Sequence, residues 1–229
     1  MRKAIFTLIF LSASLVCYSQ DFRGEYLKAV RDNNILEQEK LISYWQKADS
    51  LKSDYYFCAF DYYINHPDNE HYMYYALDII NKGIDKYPNN IELRLKKISA
   101  LLNFVWVPVA DKDNNAHKEF LGFEYANNEM IKVVDNSYII GCKWNYLGRI
   151  MTCSDITAIF NDYHNSVLEL IEKKNLSNDD KQKLEGLKKV ELEIEKYFPD
   201  NSDNYKNLSE VYNLLGDKNN YEKYSQKVK

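Results

Sequence analysis

Glycine and proline are scarce. The 229 residues hold 7 Gly and 4 Pro, less than half the average share of roughly 12%, so turns are few and the elements between them must be long. That points to helices and excludes a collagen-like chain. Outside the first 19 residues only Cys58, Cys142 and Cys153 remain, an odd number that excludes a disulfide framework. Cys142 and Cys153 can pair in an oxidising compartment. Cys58, inside the apolar run from Tyr55 to Tyr63, reads as a small buried hydrophobe. Positive charge is also lacking: the net charge is −4, Lys outnumbers Arg 25 to 5, and no basic block exceeds two or three residues. A surface that tracks nucleic-acid phosphates is excluded on that balance, and few Arg argue against bidentate phosphate recognition. Disorder is excluded by 45% hydrophobic and 28% charged content. What the chain has in abundance is tyrosine, 20 residues beside 10 Phe and 3 Trp, side chains that pack on one edge and stay wet on the other.

The one long apolar stretch, Ala4 to Val16, follows Arg2 and Lys3 and precedes the small residues Cys17 and Ser19. Its 13 residues are too few to span a bilayer, which takes about 20. Residues 1–19 therefore read as a secretory signal peptide cut between Ser19 and Gln20. A lipid anchor at Cys17 is the weaker alternative, because Val16 is branched where such sites take Gly, Ala or Ser. The cleaved chain keeps 28 basic and 34 acidic residues, a net −6, and is expected in the periplasm or outer envelope of a bacterium with no stable membrane insertion.

Along the remaining chain, Leu36, Leu41, Tyr44, Trp45, Ala48 and Leu51 recur at helical steps, as do Tyr55, Tyr56, Ala59, Phe60, Tyr63 and Ile64 before His66 and Pro67 break the pattern. Tyr72, Met73, Ala76, Leu77, Ile80, Gly83, Ile84 and Tyr87 form a further stripe, stopped by Pro88. Ile91, Leu95, Ile98, Leu101 and Leu102 begin the next. Ala76, Ile80, Gly83 and Pro88 fall at steps of 4, 3 and 5, and Tyr205, Leu208, Ser209, Tyr212 and Gly216 at steps of 3, 1, 3 and 4, with Tyr221, Ser225 and Val228 continuing after Pro199 has closed the preceding unit. These spacings resemble the tetratricopeptide repeat (TPR), a 34-residue helix-turn-helix. The departure is Tyr221, where the family usually has Ala; its phenol is expected to cap the end of the stack.

The resemblance covers about 35–103 and 155–229 and implies an all-α, TPR-like superhelix of stacked antiparallel helical hairpins. These would be paired at about 36–65, 70–103, 155–197 and 203–228, in one domain over 20–229, similar to exported bacterial TPR proteins. Residues 105–151 read as an irregular central insertion: an apolar run from Phe104 to Val109, a polar loop Asp111 to Asn115, and a stretch with Gly and aromatic residues from Tyr138 to Gly148.

Chemistry is thinly represented. His66, His71, His117 and His164 are too scattered for a zinc pair and read as surface or capping residues, and there is no HExxH or CxxC. Asp111, Asp113 and Asn115 imitate the start of a calcium loop, but Ala116 and Gly122 stand where its Gly and bidentate Glu belong. No phosphate loop or GxSxG is present. Glu191, Glu193 and Glu195 read as a solvated helix face. No catalytic residue, metal or cofactor is expected.

The resemblance implies a concave face that holds a peptide or protein partner, with Tyr55, Tyr62, Arg94, Lys97, Tyr205 and Trp106 as candidate contacts. Tyr and Arg are hot-spot types because they bury much area and still present a polar tip. Any single tyrosine is more often a space-filler between helices; the inference concerns the group. The alternative is a small-ligand-binding protein or hydrolase in which the insertion closes a pocket walled by Trp106, Trp144 and Tyr146. A structural subunit of an envelope assembly is a third reading.

Overall fold

A chain with so few breakers folds into helices whose ends are written by short polar side chains. The computed structural model describes residues 21–47, 52–66, 72–103, 107–110, 116–119, 122–146 and 149–228. The expected signal peptide, Trp106, His71 and the loop 111–115 lie outside them. The described residues form two compact units, one through Asp85 and one from Lys86 onward. They are all-α apart from two small hairpins, as the resemblance implied. No described helix is long and apolar enough to cross a membrane.

The first unit holds α1 (Phe22–Arg31), α2 (Ile35–Lys47), α3 (Ser53–Asn65) and most of α4 (Tyr72–Lys86). Asp21 caps α1 by accepting from the Gly24 amide. Asn33 takes the left-handed conformation, φ 52°, that lets the chain turn directly into α2. Helices α1, α2 and α3 pack on one another around an aromatic core. Phe22 lies 4.9 Å from Trp45, Trp45 meets Tyr55 edge-on at 6.2 Å, and Arg23 sits 4.1 Å over Phe57 while bonding Asp54 at 3.1 Å. Six consecutive residues of α3, Tyr55 to Phe60, are buried, Cys58 among them, so the first half of this helix is enclosed all round. In α4, Ala76, Ile80, Gly83 and Ile84 form the buried stripe that the repeat spacing predicts.

The second unit holds α5 (Ile91–Asn103), β1 (Val107–Ala110), β2 (Ala116–Glu119), α6 (Gly122–Ile139), β3 (Trp144–Tyr146), β4 (Arg149–Met151), α7 (Cys153–Glu169), α8 (Asn178–Tyr197), α9 (Ser202–Leu215) and α10 (Lys218–Ser225). β1 pairs with β2 and β3 with β4, both antiparallel. Capping boxes at Thr152/Asp155 and Ser177/Asp180 start α7 and α8. Asn90, Asn201 and Asp217 cap α5, α9 and α10. Gly216, at φ 78°, ends α9 in a left-handed cap.

Two elements correct the sequence reading. α1 precedes the first expected helix, on the spacing Phe22, Tyr26, Ala29. The insertion expected to be irregular contains α6, whose Phe123, Ala126, Met130, Val133 and Val134 lie in the centre of the core with Ile98, Phe160, Leu184 and Leu187. α6 packs on α5 and α8. At the C-terminus the buried ring of α10 is Tyr224, stacked 5.4 Å from Tyr212, whereas Tyr221 is exposed. Tyr221 therefore points outward, and the tight position falls three residues later.

Candidate functional site: an aromatic cleft

The C-terminal turn of α3 carries a partly accessible aromatic grouping in the first unit. Tyr62 and Tyr63 are adjacent and only half-buried, their rings meeting edge-on at 5.5 Å. His66 closes the helix: its amide bonds the Tyr62 carbonyl and its Nδ1 lies 2.8 Å from the same oxygen. The imidazole is thereby held flat against the Tyr62 ring, 4.6 Å between centroids. Tyr63 continues the group towards Tyr75 on α4, 6.3 Å away, where Tyr74 and Tyr75 are exposed. Across from Tyr62 and Tyr63, α2 contributes Glu39, Ile42, Ser43 and Gln46, and the cleft so formed measures about 220 Å³. That is below the 300–1,000 Å³ of drug-sized ligand sites and suits one large side chain.

The other sequence-nominated residues are not brought to this cleft. Tyr55 is 5% exposed and belongs to the aromatic core, so it fills space between helices and offers nothing to a partner. Arg94 is 6% exposed. Its guanidinium donates to Glu129 and, from Nε at 3.1 Å and Nη2 at 2.7 Å, to the Pro88 carbonyl. Lys97 bonds the other Glu129 oxygen at 2.9 Å. Burial pushes the Glu129 carboxyl up, but hydrogen bonds and charge from Lys97 and Arg94 outweigh it and hold the group below the usual range. Arg94 and Lys97 thus lock α5 to α6. Tyr205 is half-buried; its hydroxyl donates to the Pro199 carbonyl, and Lys227 lies 4.5 Å over its ring. Trp106 is outside the described residues.

Two residues read as solvated are the most enclosed ionisable groups in the second unit. His164 on α7 and Glu191 on α8 are each 1% exposed, with Nδ1 to Oε1 at 2.9 Å. Burial pushes the Glu191 carboxyl up while its bond and charge from His164 oppose the rise. His164 Nε2 stands 3.7 Å from Glu210 on α9, and Glu210 is bonded by Lys173 at 2.9 Å. The i, i+4 period of α8 would have separated Glu191 from the outward Glu193: 187, 191 and 194 share the face that Leu187 and Ile194 bury.

A second depression, about 500 Å³, runs between α6 and α8, with Phe123, Asn127 and Ile131 on one wall and Lys183, Gly186 and Lys189 on the other. Lys183 is occupied by Asp179 at 2.8 Å. Among the described residues no group of three or more His, Cys, Asp or Glu side chains is placed to hold a metal ion.

No family model matches the chain, and no curated protein matches it. Among solved structures it is similar to a mutant of MamA, at 9% identity over 90% of this chain and 93% of that one, with a TM-score of 0.43. It is also similar to BtubC (BKLC) from P. vanneervenii, at 14% identity over 98% of this chain and 78% of that one, with a TM-score of 0.38. Likenesses this loose add no argument, and the helical architecture rests on the elements described above.

Proposed function

We propose that the protein is a non-enzymatic adaptor of the bacterial cell envelope that binds a peptide or protein partner through the Tyr62/Tyr63/His66 cleft. The observation that carries the reading is the cleft itself: an accessible aromatic wall, preorganised by the His66 cap, facing Glu39, Ser43 and Gln46 across a space the size of one side chain. A tyrosine held in place by its stacked His66 loses little entropy on binding, and the acid and amide opposite suit an aromatic or basic partner residue. The envelope location rests on residues 1–19, and the non-enzymatic reading on a sequence that offers no convergent set of nucleophile, acid or base and stabiliser.

The test is capture from envelope extracts by the parent, by Tyr62→Ala/Tyr63→Ala and by Tyr205→Ala. A partner retained by the parent and by Tyr205→Ala, but weakened by about 2 kcal/mol or more, roughly 30-fold, in the double variant supports the cleft. Equal capture by all three removes it. The α6–α8 depression supports a second reading, a small-ligand site, because its volume lies in the range for such sites and one wall comes from the insertion. Ile131→Trp would fill that depression; loss of a ligand-induced melting shift with protein capture intact would favour this second reading.

A further inference from the structure

The hairpin between α6 and α7 brings the two cysteines of the second unit together. β3 and β4 pair Trp144 with Met151, Asn145 with Ile150 and Tyr146 with Arg149, and Cys142 and Cys153 each lie two residues beyond the Trp144–Met151 end of that ladder. The two side chains lie within interaction range of one another, and neither is in a disulfide. Their chemical situations differ. Cys142 is buried at the end of α6, held in the left-handed conformation at φ 59° with its amide on the Ser137 carbonyl at 2.8 Å. Cys153 is exposed as the first residue of α7, after the Thr152 cap. Burial, with the contact to Cys153, pushes the Cys142 thiol up to about 12, so Cys142 is a poor first nucleophile and Cys153 is the one that an outside reagent can reach.

We propose that Cys142 and Cys153 form a reversible disulfide that staples the end of α6 to the start of α7, written by exchange with a glutathione-type or dithiol-protein disulfide. Cys153 loses its proton to water and attacks one sulfur of that disulfide, making a mixed disulfide and expelling one thiolate. Cys142 then loses its proton and attacks Cys153 Sγ, forming the Cys142–Cys153 bond and expelling the second thiolate. Two thiols of the protein are oxidised, the external disulfide is reduced to two thiols, and two protons pass to solvent or to the departing thiolates. The Trp144–Met151 pair anchors both segments two residues from the cysteines, which keeps the two thiols near one another.

The folded protein would be incubated with oxidised glutathione, acid-quenched, alkylated and peptide-mapped, in buffer and in denaturing urea. In buffer the Cys142–Cys153 linked peptide should dominate and form at oxidant levels at least about tenfold lower than in urea, because the fold holds the thiols together. The melting temperature should rise by roughly 5–10 °C, a rise reversed by dithiothreitol. Cys153→Ser, at an exposed position, should fold normally and show neither effect. Glutathione retained on Cys153 with Cys142 still a thiol, a Cys153-linked dimer, or a link that forms only in urea would overturn the proposal.

Discussion

Gly186, in the middle of α8, is where helix propensity and packing make opposite demands. Replacing an exposed helical Gly by Ala stabilises by up to about 1 kcal/mol. Here the added Cβ would stand 2.3 Å from Asn127 Nδ2 and 3.3 Å from its Cγ, so the amide of α6 must withdraw. Asn127 is not free to do so without loss: its Oδ1 accepts the Tyr163 hydroxyl at 2.6 Å, and Tyr163 is buried, its phenol pushed far up by burial and by the nearby Glu191 charge. Stranding that hydroxyl costs about 1–3 kcal/mol. Gly186→Ala should therefore destabilise by about 0–2 kcal/mol in urea titrations read by circular dichroism. In an Asn127→Ala background the clash is gone and the same change should stabilise by up to about 1 kcal/mol. The two sites should thus be coupled by at least about 1 kcal/mol. If Gly186→Ala stabilises the parent as much as it stabilises Asn127→Ala, the two helices do not approach at this point and the reasoning fails.

Glu129→Gln leaves the enclosed Arg94 without its carboxylate and should cost about 3–5 kcal/mol by chemical denaturation. Because the folded Glu129 carboxyl is held below its usual range, its contribution is present above the unfolded value of about 4.3 and lost as pH falls through the folded one. The variant's stability should accordingly decline less steeply than the parent's between about pH 5 and pH 3. His164→Ala should cost a similar amount near neutral pH. Since burial raises Glu191, whose contribution is present below about pH 4.3 and lost as pH rises through its folded value, the deficit in urea melts should grow as pH is raised from about 4.3. Replacing both, His164→Leu with Glu191→Met, should recover most of the loss. Gly83→Leu, on the buried stripe of α4, should lower stability by about 1–3 kcal/mol through overpacking; an unchanged melting curve would place residue 83 on the surface.

The helices legible in the sequence are those whose buried face is apolar at nearly every turn. α4 declares itself through Ala76, Ile80 and Gly83, and α9 through Leu208, Tyr212 and Gly216. α6 is hidden because its inner face is interrupted by buried polar side chains: Asn127, Glu129 and Asn136 alternate with Ala126, Met130 and Val133, so a hydrophobicity pattern sees noise where the fold sees a seam. The same cause misplaced His164 and Glu191. A charge run such as Glu191, Glu193, Glu195 reads as solvent-facing until its 3.6-residue period is compared with Leu187 and Ile194, which sort the first acid inward. Of the candidate contacts, Tyr62 was placed on an accessible surface, while Tyr55 and Arg94 could be assigned to the interior only once their helical neighbours were known.

The buried polar groups of the second unit fall at successive helix seams. Arg94 meets Glu129 between α5 and α6, Tyr163 meets Asn127 between α7 and α6, and His164 meets Glu191 between α7 and α8. Asn204 of α9 donates to the Glu191 carbonyl at 3.0 Å, and Tyr224 of α10 donates to Glu195 at 2.8 Å. Leu, Ile and Val faces would let one helix slide past another by a turn at small cost, because apolar contact is not directional. A slip at any of these seams would instead strand a buried donor or acceptor, at about 1–3 kcal/mol for a neutral group and more for a charged one. Directional pairs spaced along the unit therefore oppose every such slip while adding little net stability of their own. That accounts for ionisable residues sitting inside a chain with ample apolar side chains for its core.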